Sequence, residues 1–187
     1  MKRLGTFNHY RTDPSAWVGS IVMFSFASIA AFKWLQTGAV FFALLVLRDL
    51  VAVYFLLIRN QAASKSFGIM DFISYLSCAI PFLYLPVDHF HSLISANSAS
   101  VLAIVGFSLS TLALFDLGKS FGVTPANRGK VSTGVYRLLS HPMYMGYALA
   151  EFGFILLNPL NAVIYCVSIG LYIFRARKEN MALQHFC

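Results

Sequence analysis

Asn158-Pro159-Leu160-Asn161 interrupts two apolar stretches, 143–157 and 160–174, and that interruption decides how the chain folds. Asparagine beside proline favours a turn, and proline cannot continue a helix that runs into it. Each stretch is short for a bilayer core, which takes about 20 apolar residues per helix within a range of about 17–25. Joined by so brief a turn, the two are predicted to form a tight helical hairpin. Four further apolar stretches lie upstream, at 17–34, 38–58, 69–85 and 99–118, and each is long enough to span by itself. Backbone groups in lipid must be satisfied within their own segment, so the fold is expected to be all-α. The expected architecture is a polytopic membrane protein of about six transmembrane helices, the last two forming the C-terminal hairpin.

Composition agrees. Of 187 residues, 58% are hydrophobic and 11% are charged, with a mean hydropathy of +0.70; a water-soluble domain carries about 25% charged residues. The net charge of +7 does not indicate nucleic-acid binding. Its basic residues are spread over several juxtamembrane loops, where they set topology and meet anionic membrane lipids, and they form no recognition element. Cys78, Cys166 and Cys187 have neither metal-ligand nor redox spacing, so no metal is expected. The apolar segment after Pro14 is too long for the core of a secretory signal. Nothing in the composition sets an oligomeric state.

Orientation follows from the basic residues. Lys2, Arg3 and Arg11 precede the first span, and Arg59 and Lys65 follow the second. Lys119, Arg128, Lys130 and Arg137 follow the fourth, and Arg175, Arg177 and Lys178 follow the sixth. The alternate connections hold Lys33, then Asp88, His89 and His91, then residues 158–161. Both termini and the loop at 119–140 are therefore expected on the cytoplasmic face.

Ionisable groups at membrane depth are costly and face a cavity or a partner. Arg48 and Asp49, late in the second span, read as an interhelical pair or as substrate contacts. Asp116 reads either as a cap or anchor for the start of the loop that follows it or as a functional group. Glu151 lies two turns beyond His141–Tyr144, so it either shares their cavity or makes an interhelical hydrogen bond as a protonated acid.

The densest chemistry is Gly134-Val135-Tyr136-Arg137-Leu138-Leu139-Ser140-His141-Pro142-Met143-Tyr144-Met145-Gly146. It reads as one wall of a ligand site at the membrane edge. Arg175 and Glu179, four apart, share one face of a helix leaving the membrane. The hairpin returns them to the side that carries His141 and Tyr144, so four polar groups from distant positions can converge. A guanidinium can clamp a carboxylate, a carboxylate can hold an ammonium or sulfonium, and tyrosine faces attract cations. These residues alone predict a site for a small zwitterionic or cationic ligand.

The ordered set of Leu117-Gly118-Lys119-Ser120-Phe121-Gly122-Val123-Thr124-Pro125, Val131-Ser132-Thr133-Gly134-Val135-Tyr136-Arg137, His141-Pro142-Met143-Tyr144-Met145-Gly146, and Arg175 with Glu179 and Leu183 resembles the isoprenylcysteine carboxyl methyltransferase family. The wider group includes the phospholipid methyltransferases. The resemblance covers residues 117–186. It implies a cytoplasm-facing pocket for S-adenosylmethionine, capped by Tyr136, His141, Pro142, Met143 and Tyr144, lined by Arg128, Gly129, Lys130 and Val131, and held by Glu179. Arg175 would face the methyl acceptor, and Arg175 and Glu179 would be the catalytic pair. The acceptor would be a lipid-like or prenylated molecule entering from the bilayer, with a carboxylate of the isoprenylcysteine type as the first expectation and a phospholipid amine as the alternative. Residues 1–116 would shape its passage and 117–187 would form the methyltransferase core, in one integrated domain.

Three departures stand out. Ser140 occupies a position where the family usually has arginine, Asn180 one where a second acid is common, and the aromatic-rich tail usual after Glu179 is not found before Cys187. Two other readings compete: an NADPH-dependent enzyme like the sterol reductases, which share a similar hairpin, and a non-catalytic membrane binding protein. No additional basic loop for a 2′-phosphate is visible.

Overall fold

Long apolar runs bounded by Pro14, Gly38 and the Asn158-Pro159 turn give six α-helices among the described residues, which in this computed structural model are 14–62, 64–65, 69–85 and 93–184. They are α1 (Pro14–Thr37), α2 (Val40–Ile58), α3 (Ile69–Ala79), α4 (Leu93–Leu117), α5 (Pro142–Leu157) and α6 (Asn161–Gln184). The expected all-α polytopic architecture is the one observed. Lys2, Arg3, Arg11, Asp88, His89, His91 and Cys187, used above for topology and cysteine spacing, lie outside the described residues.

Among the described residues, three helical segments are long and apolar enough to cross a membrane: Ser15–Thr37, Val40–Ile58 and Ala96–Ser120. The expectation that 69–85 spans unaided is corrected. α3 has 11 residues and passes into a 3-10 turn at Ile80–Phe82. Pro81 is the physical reason, since it lacks an N–H and disfavours helical geometry in the residue before it. α5, with 16 residues, is roughly 24 Å long. α6 continues without a break through Arg175 and Glu179, ten residues beyond the apolar stretch that begins it.

The hairpin turn is built from side-chain amides. Asn158 ends α5, and its Oδ1 accepts the Leu160 N–H at 3.1 Å. Asn161 is fully buried and works across the bundle. Its Oδ1 accepts the Leu85 N–H at 2.8 Å, while its Nδ2 donates to the carbonyls of Leu85 at 3.3 Å and Phe154 at 3.0 Å. One side chain thereby satisfies backbone groups of α5 and of the segment after α3.

α4 and α5 pack antiparallel along a seam of small residues. Ala99, Gly106 and Ser110 of α4 meet Gly153, Ala150 and Gly146 of α5. A Cβ built on Gly106 would lie 2.5 Å from the Gly146 carbonyl oxygen and 2.5 Å from the Ala150 nitrogen. Between membrane helices, where lipid removes the hydrophobic drive, such close backbone approach supplies the attraction. Apolar clusters flank the seam: Met23, Ala52, Phe55, Leu56 and Leu114 toward one end, Ala30, Phe41, Phe42, Leu45 and Phe107 toward the other.

At the first of these ends the connections interlock. The Asn60 N–H donates to the Lys119 carbonyl at 2.7 Å, and β1 (Ser64–Lys65) pairs antiparallel with β2 (Ala126–Asn127). Arg59 Nη2 donates to Ser15 Oγ at 2.6 Å. Arg59 and Lys119, from two separate connections, thus lie at one end of the bundle, beside the start of α1. Lys33, whose Nζ donates to the Phe82 carbonyl at 3.1 Å, lies at the opposite end.

Candidate functional site

The segment 119–140 holds only short turns and the two-residue β2, yet it is pinned at several points. Phe121 and Val123 are buried in the core cluster of α1, α2 and α4. Asp116, at the end of α4, accepts the Val135 N–H at 2.7 Å, anchoring the segment 19 residues on. Gly134 is required there twice over: its φ of 56° disfavours a side chain, and a Cβ would lie 2.1 Å from Asp116 Oδ2. Gly122 makes room for the buried Arg128 guanidinium, whose Nη1 a Cβ would meet at 2.4 Å. Ser120 Oγ donates to the Arg128 carbonyl at 3.2 Å.

Pinned this way, the segment walls a cavity of about 510 Å³ against the start of α5 and the end of α6. Arg128, Gly129, Lys130, Val131, Tyr136, His141, Met143, Tyr144 and Glu179 all line it. Pro142 is buried as the first residue of α5 and sets its start. Sequence reasoning did not assign Gly122, Thr124, Pro125 or Leu183 to the wall, although all four belong to the motifs that carried the resemblance. Ser140 and Asn180, two of the three departures from the family pattern, also line the cavity.

Within the cavity Tyr144 Oη donates to Glu179, joining α5 to α6. His141 Nδ1 lies 3.8 Å from Glu179 Oε2, and its Nε2 is buried without a partner among the described residues. Burial first, and then the charge of Glu179, pushes the Tyr136 phenol above the ordinary tyrosine range, so it stands as a neutral hydrogen-bond donor. Three cations (Arg128, Lys130, Arg137) and one carboxylate (Glu179) share these walls with the rings of Tyr136 and Tyr144.

Arg175 is placed differently. It is buried behind Tyr144, its guanidinium carbon 5.1 Å from the centre of that ring, and does not line the large cavity. Nη1 donates to Ser77 Oγ of α3 and Nη2 to the Val123 carbonyl, each at 2.7 Å. Tyr172 also stacks on Tyr144, at 5.7 Å between centroids, and donates to Glu151 Oε1 at 2.6 Å. Glu151 Oε2 accepts from Tyr84 at 3.0 Å, so this acid makes interhelical hydrogen bonds and stays out of the large cavity. Arg48 and Asp49 sit halfway along α2 and pair with each other, with Arg48 also 4.5 Å over the Tyr147 ring of α5.

The sequence pattern of the phospholipid methyltransferase family matches residues 92–186, about half of the chain. The chain belongs to that family. The match begins before α4, so it takes in both sides of the small-residue seam as well as every residue lining the large cavity. Among curated proteins, the chain is similar to protein-S-isoprenylcysteine O-methyltransferase A of Arabidopsis thaliana, 28% identical over 113 residues. That alignment covers 57% of this chain and 57% of the relative, so the chain spans little more than half the length of the relative it matches. No solved structure matches the chain.

Proposed function

We propose that this membrane protein transfers a methyl group from S-adenosylmethionine to a lipid-like acceptor. The observation that carries the reading is the cavity that unites Tyr136, His141 and Tyr144 with Glu179, in a chain of the phospholipid methyltransferase family. Its volume falls within the range of about 300–1,000 Å³ usual for small-ligand sites. The wall also fits a ligand that carries a carboxylate, two cationic centres and an aromatic base. Glu179 would hold the positive charge, Tyr136 and Tyr144 offer ring faces, and Arg128 to Val131 offer cations and backbone groups. When bound, S-adenosylmethionine supplies an electrophilic methyl group on a sulfonium centre. The chain's own task is then to hold the acceptor in line with it and to exclude water.

The acceptor we favour is a carboxylate, as on an isoprenylcysteine. A carboxylate is already ionised and needs no general base, only a partner that aims it. Arg175, buried beside the cavity with neutral partners alone, suits that role. The family match supports a second reading, a phospholipid amine. An amine must lose a proton, and the unpartnered His141 Nε2 would be the group to take it. We place both termini and the cavity on the cytoplasmic face, with 1–116 shaping the acceptor's passage and 117–187 forming the core. Lys130→Cys, at an exposed position, should then react with an impermeant maleimide only from the cytoplasmic side, and labelling from the outer side alone would reverse the assignment.

Titration of detergent-purified protein with S-adenosylmethionine and with NADPH tests the cofactor. Transfer of labelled methyl into extracted lipids or a prenylcysteine analogue tests the acceptor. Glu179→Gln should weaken S-adenosylmethionine binding at least about tenfold, or about 1.4 kcal/mol, because it removes a charge-assisted partner. Unchanged affinity in a folded variant would take Glu179 out of the site.

A further inference from the structure

A second, small cavity of about 10 Å³ lies deeper in the bundle, behind Tyr144 and separate from the large one. Arg48 of α2 and Arg175 of α6 both line it, beside Ser77, Cys78, Tyr147 and Glu151. Arginine halfway along a membrane helix is costly and marks a functional group by default. Arg48 and Arg175 are each 5% exposed, and each carries a buried Nε–H with no acceptor among the described residues. Asp49 neutralises Arg48 but leaves that donor unmet, while Arg175 meets the Tyr144 ring and donates to the Ser77 hydroxyl, the Val123 carbonyl and the Cys78 sulfur, with no carboxylate bonded to it among the described residues. Glu151 lines the same cavity, but the hydrogen bonds its two oxygens accept come from the hydroxyls of Tyr172 and Tyr84. Two buried guanidinium donors facing one cavity are the chemistry that recognises a carboxylate.

We propose that Arg48 is a second acceptor-binding residue, forming with Arg175 a two-guanidinium subsite for the carboxylate of a lipid-like acceptor. The proposal rests on the methyltransferase reading above and deepens it, since nothing in the family motifs reaches α2. The cavity has about the room of one water. It therefore marks the place of one carboxylate oxygen, and seating the whole group requires the wall of Ser77 and Cys78 on the short α3 to draw back. Methyl transfer at such a carboxylate forms an oxygen–carbon bond as the sulfur–carbon bond breaks, the electron pair of the broken bond staying on sulfur, and releases no proton.

The test is binding without turnover. Full-length protein in lipid nanodiscs is titrated with S-farnesylcysteine and with its carboxamide, which differ in the charge of the head group. Wild type is expected to favour the carboxylate at least about tenfold. Arg48→Gln combined with Asp49→Asn, which removes both charges and strands neither, should bring that preference close to parity. Its affinity for S-adenosylmethionine, titrated separately, should stay within about twofold of wild type. Arg48→Lys keeps a partner for Asp49 and serves if the double variant does not fold; it should lower the preference about threefold through loss of the planar fork. An unchanged preference in whichever variant folds, or no preference in wild type, overturns the subsite. Failure of the methyltransferase reading looks different, since wild type would then bind no S-adenosylmethionine whatever its preference between the two acceptors.

Discussion

Gly106→Leu is expected to abolish the folded protein. Most core substitutions find relief in a neighbouring side chain that turns aside, but the nearest atoms to a Cβ at Gly106 are backbone: Gly146 O and Ala150 N, both at 2.5 Å. The reciprocal contact is as close, since a Cβ on Gly146 would sit 2.5 Å from the Gly106 carbonyl oxygen. Relief would therefore require α4 and α5 to separate along their whole seam, with loss of the Ala99–Gly153 contact as well. Overpacking of an ordinary core costs about 1–3 kcal/mol, and here the cost should exceed about 3 kcal/mol because no rotamer can absorb it. Thermal melting and monodisperse yield in detergent provide the measurement. Gly170→Leu on α6, where a Cβ meets nothing within 4 Å, is the control and should melt close to wild type. A Gly106→Leu protein of wild-type stability would mean that α4 and α5 do not meet at this seam.

Arg175→Lys is expected to leave affinity for S-adenosylmethionine near wild type and to lower turnover by about tenfold to a hundredfold. The guanidinium reaches α3 through Ser77 and the segment at 121–125 through Val123, while its face rests on Tyr144. An ammonium cannot reproduce that planar two-donor geometry. The Tyr144–Glu179 contact lies on the cavity side of the ring, so cofactor affinity should survive. The acceptor would lose its aim, and kcat should fall more than the cofactor's Kd rises. Wild-type turnover would reject Arg175 as the carboxylate clamp and favour the amine acceptor. A parallel collapse of cofactor binding would instead give Arg175 a structural role through Tyr144.

Much of the architecture was legible because membrane helices announce themselves locally. Apolar length, basic connections and the Asn158-Pro159 break are properties of short windows, and they outlined the helices now seen as α1, α2, α4, α5 and α6. The cavity wall was partly legible for a related reason: the motifs from Leu117 to Tyr144 and Glu179 recur in order. Gly122 and Gly134 were less so, because what excludes a side chain there is Arg128 and Asp116 arriving from elsewhere in the chain. The third stretch was misjudged by length alone, since Pro81 ends regular helix inside it.

Sequence by itself determined an all-helical membrane chain, its C-terminal hairpin and a cluster of polar residues beside it, because hydropathy, turn chemistry and helical spacing act over a few residues. Tertiary structure alone decided which polar groups share a space. Glu179 meets Tyr144 within the large cavity, whereas Arg175, one helical turn away, lies behind the same ring and shares its small cavity with Arg48. A single helical turn separates those two environments because buried aromatic rings partition a bundle more finely than the periodicity of any one helix can foretell.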